Sequence, residues 1–283
     1  SKTGNIVPVY PLTNDLKIKG VEQRMLRTLI KEALSCIDQV YEIIPKDVLK
    51  KHSLISLKLA LTYIHFSDGI EKLNSAKNRL KFDEHFFLQL LLALKKKSIR
   101  LSKSKRLIDI GPYFRPISET LDFELTRSQK NVIQDIHADF RNDYPMNRLI
   151  QGDVGSGKTI VAILVTALAV GNNVQVAIMV PTEVLARQHY DSFKLQLDKA
   201  NIRCELILGN MKKNERSNIL AGLEDGSISV VIGTHALIQK DVFFNNLGLV
   251  VIDEQHRFGV NQRANLIDKG KSPHCLAMTA TPI

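Results

Sequence analysis

Residues 152–159 read GDVGSGKT, and no other stretch of the 283-residue chain narrows its fold so far. Gly152, Gly157, Lys158 and Thr159 fill every fixed position of the pattern G-x-x-x-x-G-K-[ST]. A short apolar run, RLIQ (148–151), leads in, and the helical stretch TIVAILVTALAV (159–170) leads out. The pattern works only where a strand turns sharply into the start of a helix. Its glycines let successive backbone N–H groups point inward at phosphate oxygens. The helix adds the positive end of its dipole. Asp153, Val154, Gly155 and Ser156 complete the cradle, Lys158 is spaced to reach β and γ phosphates, and the Thr159 hydroxyl suits Mg²⁺. The expected ligand is ATP with its magnesium ion.

From about residue 121 onward short apolar runs alternate with helical stretches. The runs are 148–151, VQVAIMV (174–180), CELIL (204–208), ISVVIG (228–233), GLVVID (248–253) and HCLAM (274–278). That alternation predicts a parallel sheet with helices on both faces. In such sheets ligands lie outside the C-terminal strand ends. One run, VVID, ends in two adjacent carboxylates, Asp253 and Glu254. Alone such a pair reads equally well as a helix N-cap or a solvated loop. Beside a phosphate cradle it reads as a site: Asp253 for the Mg²⁺ that bridges β and γ phosphates, Glu254 for the attacking water.

The first 120 residues have another texture. Residues 1–20, with Pro8, Pro11 and Gly20, read as an extended lead-in. From Val21 a helical stripe follows through Met25, Leu26, Leu29, Ile30, Ala33, Leu34 and Ile37, until Ile44-Pro45 breaks it. Further helices are expected over about 53–66 and from Asp68 to Lys97 or beyond. The run FFLQLLLAL (86–94) is far short of a membrane span and is taken as the buried part of a helix. Gly111-Pro112 and Pro116 mark a linker over 111–120. The expected layout is therefore a helical segment over 21–110, a linker, and an α/β domain over 121–283.

The formal net charge of +10 lies wholly in the first part: residues 1–120 hold 22 Lys+Arg against 12 Asp+Glu, and residues 121–283 hold 17 of each. Lys95, Lys96, Lys97, Arg100, Lys103, Lys105 and Arg106 form a dense run. It reads either as a solvated helix end that meets a helix dipole or as a set of contacts to DNA phosphates. Cys36, Cys204 and Cys275 lie far apart with no CxxC pair, which favours free thiols in a reducing cytoplasm.

The set GDVGSGKT, PTEVLARQH (181–189), GTHALI (233–238), VVIDEQHRFG (250–259) and TATP (279–282) resembles, in order and spacing, the first RecA-like motor domain of superfamily 2 helicases. The wording DEQHRFGV resembles two branches, the branch-migrating RecG family and the transcription-repair coupling factors. VPVYPLT (7–13), VEQRMLRTLIKEAL (21–34), LALTYIHF (59–66) and AKNRLKFDEHFFLQLLLAL (76–94) are similar to the helical segment that joins wedge and motor in the RecG family. The resemblance implies that Gln129 reads adenine and Phe123 packs on its ring. It implies that Pro181, Thr182, Arg187, Gln188, Gly233, Thr234 and His235 face the DNA backbone. It also implies that Gln255 and His256 sense the γ-phosphate together with Thr279 and Thr281.

The implied activity is ATP-driven remodelling of branched double-stranded DNA (forks and Holliday junctions) by a cytoplasmic monomer with no membrane. A second motor domain and a wedge domain are expected elsewhere in a full-length protein, so these 283 residues should bind Mg-ATP yet turn it over poorly. The alternatives are a coupling-factor-like translocase and a non-hydrolysing nucleotide-binding module.

Overall fold

A computed structural model describes residues 6–280. Part of the lead-in (1–5) and Thr281 fall outside that range. The chain divides into two compact units, Ser1–Lys96 and Lys97–Ile283.

The first unit is helical: α1 (Asn14–Ile18), α2 (Gln23–Ser35), α3 (Lys46–Lys51), α4 (Leu57–His65) and most of α5 (Ile70–Leu101). Side-chain caps start two of them, Thr13 accepting from the Leu16 N–H and Ser56 from the Leu59 N–H. The interior is small: among its described residues Ile44, Ala60, Ser67, Ala76 and the charged Arg79 are buried. Arg79 clamps Glu42 with two bonds of 2.7 and 3.0 Å, and it also reaches Asp83 at 2.8 Å and the Ile55 carbonyl at 2.7 Å. Its hydrogen bonds hold the Glu42 carboxyl down at about 2. A buried charge is tolerated only when paired and bonded in this way.

Two expectations fail in this unit. Residues 1–20 are not extended throughout, because Thr13 nucleates α1. The run FFLQLLLAL is helical but not buried: residues 87–98 are all exposed, Leu91 by 63%. Only Ala76 and Arg79 of α5 are buried. Apolar content predicted a helix there and carried no information about what covers it. Met25 and Leu29 of the α2 stripe are likewise about half exposed.

The second unit is α/β. After α6 (Phe114–Glu119) and α7 (Arg127–Phe140) come β1 (Asn147–Gln151), α8 (Lys158–Gly171), β2 (Gln175–Met179), α9 (Glu183–Leu197) and β3 (Cys204–Ile207). Then follow α10 (Lys213–Glu224), β4 (Val230–Gly233), β5 (Leu247–Asp253), α11 (Val260–Ile267) and β6 (His274–Thr279). The strands form one parallel sheet in the order β1-β6-β5-β2-β4-β3. Alternate residues feed the two faces. Val176, Ile178, Val251 and Met278 pack with α7, α8 and α9, while Ala177, Met179, Val250 and Ile252 pack with α10 and α11. Burial on both faces explains why these strands read as unbroken apolar runs. Helix α8 is buried from Ile160 through Val170 and forms the centre of the larger core.

Residues 97–120 belong to this unit and are not a spacer. Leu107 and Ile117 are fully buried in its core. Gly111, at φ +69°, lies against Gly171 so closely that a Cβ would meet the Gly171 Cα at 2.7 Å. That glycine permits a backbone contact with the end of α8 rather than a flexible joint. His274, fully buried, donates from Nε2 to the Lys105 carbonyl at 2.9 Å and accepts the Met146 N–H on Nδ1 at 3.0 Å. Burial lowers its pKa, so the neutral ring that this bonding needs is also the favoured one. Lys105 donates to the Asn172 and Asn173 carbonyls at 3.0 and 3.2 Å, a cation at the C-terminal end of α8. Arg100 lies 5.6 Å from the Tyr144 ring centre. These two members of the basic run thus have structural partners.

Candidate nucleotide site and nucleic-acid face

The loop 152–157 leaves β1 and enters α8 at Lys158. Gly155 and Gly157 stand at φ +82° and +81°, the left-handed region that costs other residues roughly 1–2 kcal/mol. The Ser156 N–H closes onto the Asp153 carbonyl at 3.1 Å, and the Gly152 N–H onto the Thr279 carbonyl at 3.3 Å. Lys158 folds over the loop and donates to the carbonyls of Gly152 (2.6 Å) and Asp153 (2.9 Å). No side chain caps α8, since its N-cap is Gly157. The first amides of a long buried helix are thus left for an anion, and the residues fit a polyphosphate.

The register fixes what faces this loop. All six strands are parallel, so their C-terminal ends share one edge of the sheet. Gln151 of β1 pairs with Thr279 of β6, and Met278 of β6 pairs with Asp253 of β5. One strand separates the loop from Asp253, a span of about 10 Å at the usual strand spacing. Asp253 is 9% exposed and accepts the Glu254 N–H on Oδ1 at 3.0 Å. Thr159 is the second residue of α8. A hydroxyl, a carboxylate and phosphate oxygens are the hard oxygen donors that Mg²⁺ takes. Among the described residues no group of three or more His, Cys, Asp or Glu could hold a metal.

Glu254 has φ 48° and ψ 53°, a left-handed conformation unusual for a glutamate. Its Oε2 accepts from the Thr279 hydroxyl at 3.3 Å and lies 3.4 Å from His256 Nδ1. The strand end, the acidic pair and the TATP segment are thus joined by Glu254 itself. Gln255 accepts on Oε1 from Arg263 Nη1 of α11 at 3.1 Å.

The two residues assigned to adenine separate. The Gln129 amide spans two tasks: Oε1 accepts the Thr126 N–H at 2.9 Å in a capping box that starts α7, and Nε2 donates to the Ser156 carbonyl at 2.9 Å. It straps the loop 152–157 to the start of α7. Phe123, 55% exposed, instead lines a cavity of about 910 Å³ together with Phe114, Lys130, His137 and Leu168, and Gln129 is not among its walls.

The residues assigned to DNA lie on the same sheet edge, beyond β5. Pro181 and Thr182 follow β2, and Thr182 caps α9 by accepting the Leu185 N–H at 3.3 Å. Arg187 and Gln188 are exposed on that helix. The second element fares differently. Gly233 and Thr234 are buried, and the Thr234 hydroxyl is enclosed without a partner among the described residues. A Cβ at Gly233 would meet the Ile207 carbonyl at 2.5 Å, so tight packing accounts for that glycine. Of this element only His235 offers an exposed side chain between 233 and 235.

One contact was not foreseen. His189 donates from Nε2 to Asp253 Oδ2 at 2.9 Å, both side chains nearly buried. A signal was available: Ala186, His189, Phe193 and Leu197 form the inward stripe of α9, with one polar residue on it.

Residues 126–283 match the family model described as DEAD/DEAH box helicase. The chain belongs to that family, whose members are helicases. Over nearly its whole length the chain is also similar to RecG proteins. It is 43% identical over 283 residues to ATP-dependent DNA helicase RecG of Synechocystis sp., covering 100% of this chain and 34% of that protein. The corresponding Thermotoga maritima protein is 42% identical over 280 residues, covering 98% and 35%. A solved structure of RecG bound to a three-way DNA junction superposes with a TM-score of 0.77 at 40% identity, covering 98% of this chain and 37% of that one. The chain thus spans little more than a third of the length of these relatives.

Proposed function

We propose that this chain is the nucleotide-handling part of a RecG-type DNA helicase that translocates on double-stranded DNA and remodels branched junctions. The observation that carries the reading is the shared edge, where the loop 152–159, Thr279, Asp253 and the start of α9 stand at successive strand ends. ATP binds with its phosphates on the loop amides and Lys158. Mg²⁺, when bound through Thr159 and Asp253, offsets the phosphate charge. Glu254, held by Thr279 and flanked by His256, accepts the proton of the attacking water. Pro181, Thr182, Arg187, Gln188 and His235 take the DNA backbone. The partner is branched duplex DNA, as in the junction complex of the RecG neighbour. Whole-length similarity to RecG proteins favours this reading over a coupling-factor translocase.

The described residues hold one RecA-like sheet, and an arginine finger supplied by another domain raises such rates by about 10³–10⁵. The 283-residue chain therefore binds Mg·ADP and Mg·ATP but hydrolyses slowly. The test is ATP turnover with and without a synthetic three-way junction. Slow turnover that a junction barely changes is expected. Rapid junction-stimulated turnover by these residues alone contradicts the division of labour.

A further inference from the structure

We infer that His189 is a positioning residue for Asp253, fixing the carboxylate that receives the metal and tying it to α9. The inference rests on the Proposed function and adds a residue that the motif reading left without a task.

An ionised carboxylate has only acceptors, so the proton in the 2.9 Å bond belongs to His189 Nε2. Nδ1 is buried and has no hydrogen-bond partner among the described residues. A ring placed for structure alone would be expected to satisfy both nitrogens, as His274 does. His189 leaves one orphaned and spends the other on Asp253. The carboxylate is held from two sides, by His189 on Oδ2 and by the Glu254 N–H on Oδ1. Rotation of the Asp253 side chain breaks both bonds in a nearly dry site. Preset oxygens of this kind favour a cation, and removing such an outer partner typically weakens metal binding about 10–100-fold.

The bond also bridges two assignments. His189 lies on α9 one residue after Gln188 and two turns after the Thr182 cap, the residues proposed to face DNA. A shift of α9 therefore pulls on the metal-holding carboxylate directly.

The test measures a fluorescent ADP analogue binding to the 283-residue chain, titrated with Mg²⁺, for wild type, His189→Leu, His189→Gln and Asp253→Asn. Affinity without Mg²⁺ is expected to stay within about twofold of wild type in the two His189 variants. His189→Leu is expected to raise the half-saturating Mg²⁺ concentration at least tenfold. His189→Gln, whose Nε2 also donates, is expected to recover most of it. An unaltered Mg²⁺ response in His189→Leu, with the response abolished in Asp253→Asn, overturns the role of His189 and leaves the site intact. An unaltered response in Asp253→Asn overturns the site. Should His189→Leu not fold, the ¹⁵N signal of the wild-type Nε2 decides: an Nε2–H hydrogen-bonded to a carboxylate supports the inference, and an Nε2 without a proton overturns it.

Discussion

Ala substitution at the two left-handed glycines of the phosphate loop separates strain from collision. Gly155 and Gly157 share nearly the same φ, so each alanine costs roughly 1–2 kcal/mol of backbone strain. Their surroundings differ. Nothing lies within 4 Å of a Cβ at Gly155, whereas a Cβ at Gly157 would meet Gln129 Nε2 at 2.3 Å. Gly157→Ala must push that amide off the Ser156 carbonyl, losing a hydrogen bond worth about 0.5–1.5 kcal/mol. The totals are about 1–2 kcal/mol for Gly155→Ala and about 1.5–3.5 for Gly157→Ala. The loop is exposed and relaxes in the free protein, so the cost is recovered as lost affinity when ADP demands the original shape. At about 1.4 kcal/mol per decade, that is roughly 5–30-fold against roughly 12–300-fold. Titration with a fluorescent ADP analogue at saturating Mg²⁺ reads both, and thermal melting confirms that the domain stays folded. Equal losses would refute the contact with Gln129 in the binding-competent loop. No loss in either variant would refute the loop as the phosphate cradle.

Glu254→Gln keeps the shape and removes the proposed base: single-turnover ATP hydrolysis should fall by about 10²–10⁴ while ADP affinity changes little. In the helical unit, Arg79→Met strands Glu42 and Asp83, which are only partly exposed, and should cost on the order of 3 kcal/mol in urea unfolding. Because Arg79 holds the Glu42 pKa at about 2, below its ordinary 4.5, the stability from this pair is present above pH 4.5 and is lost as pH falls toward 2. The Arg79→Met unfolding curve should therefore be flatter over that window than the wild-type one. Cys36 is exposed, whereas burial pushes the Cys204 thiol up to about 12 and the Cys275 thiol to about 11. A thiol-reactive dye should modify one cysteine in the native chain and the other two only on unfolding.

The α/β unit was legible because its signals are local. Six apolar runs gave six strands within one or two residues, and GDVGSGKT gave the turn from β1 into α8. Loop and acidic pair fell on one edge because every strand is parallel, which the alternation of runs and helices already implied. What escaped depends on contacts between distant residues. Gly111 and Pro112 look like linker punctuation until Gly171 is seen against them. Arg79 looks like an exposed helical cation until Glu42, 37 residues away, closes on it. Thr234 resembles a DNA contact in its motif, and only packing shows its hydroxyl enclosed. The exposed face of α5 marks the limit of apolar patterning, which locates a helix and not its neighbours.

A crystal structure of the chain with ADP and Mn²⁺, read from the manganese anomalous signal, bears most directly on whether a metal-nucleotide is clasped at this sheet edge. The diphosphate should lie on the amides of 155–159, with a single manganese peak between it, Thr159 and Asp253. A diphosphate away from the loop, or a manganese peak remote from Asp253, contradicts it.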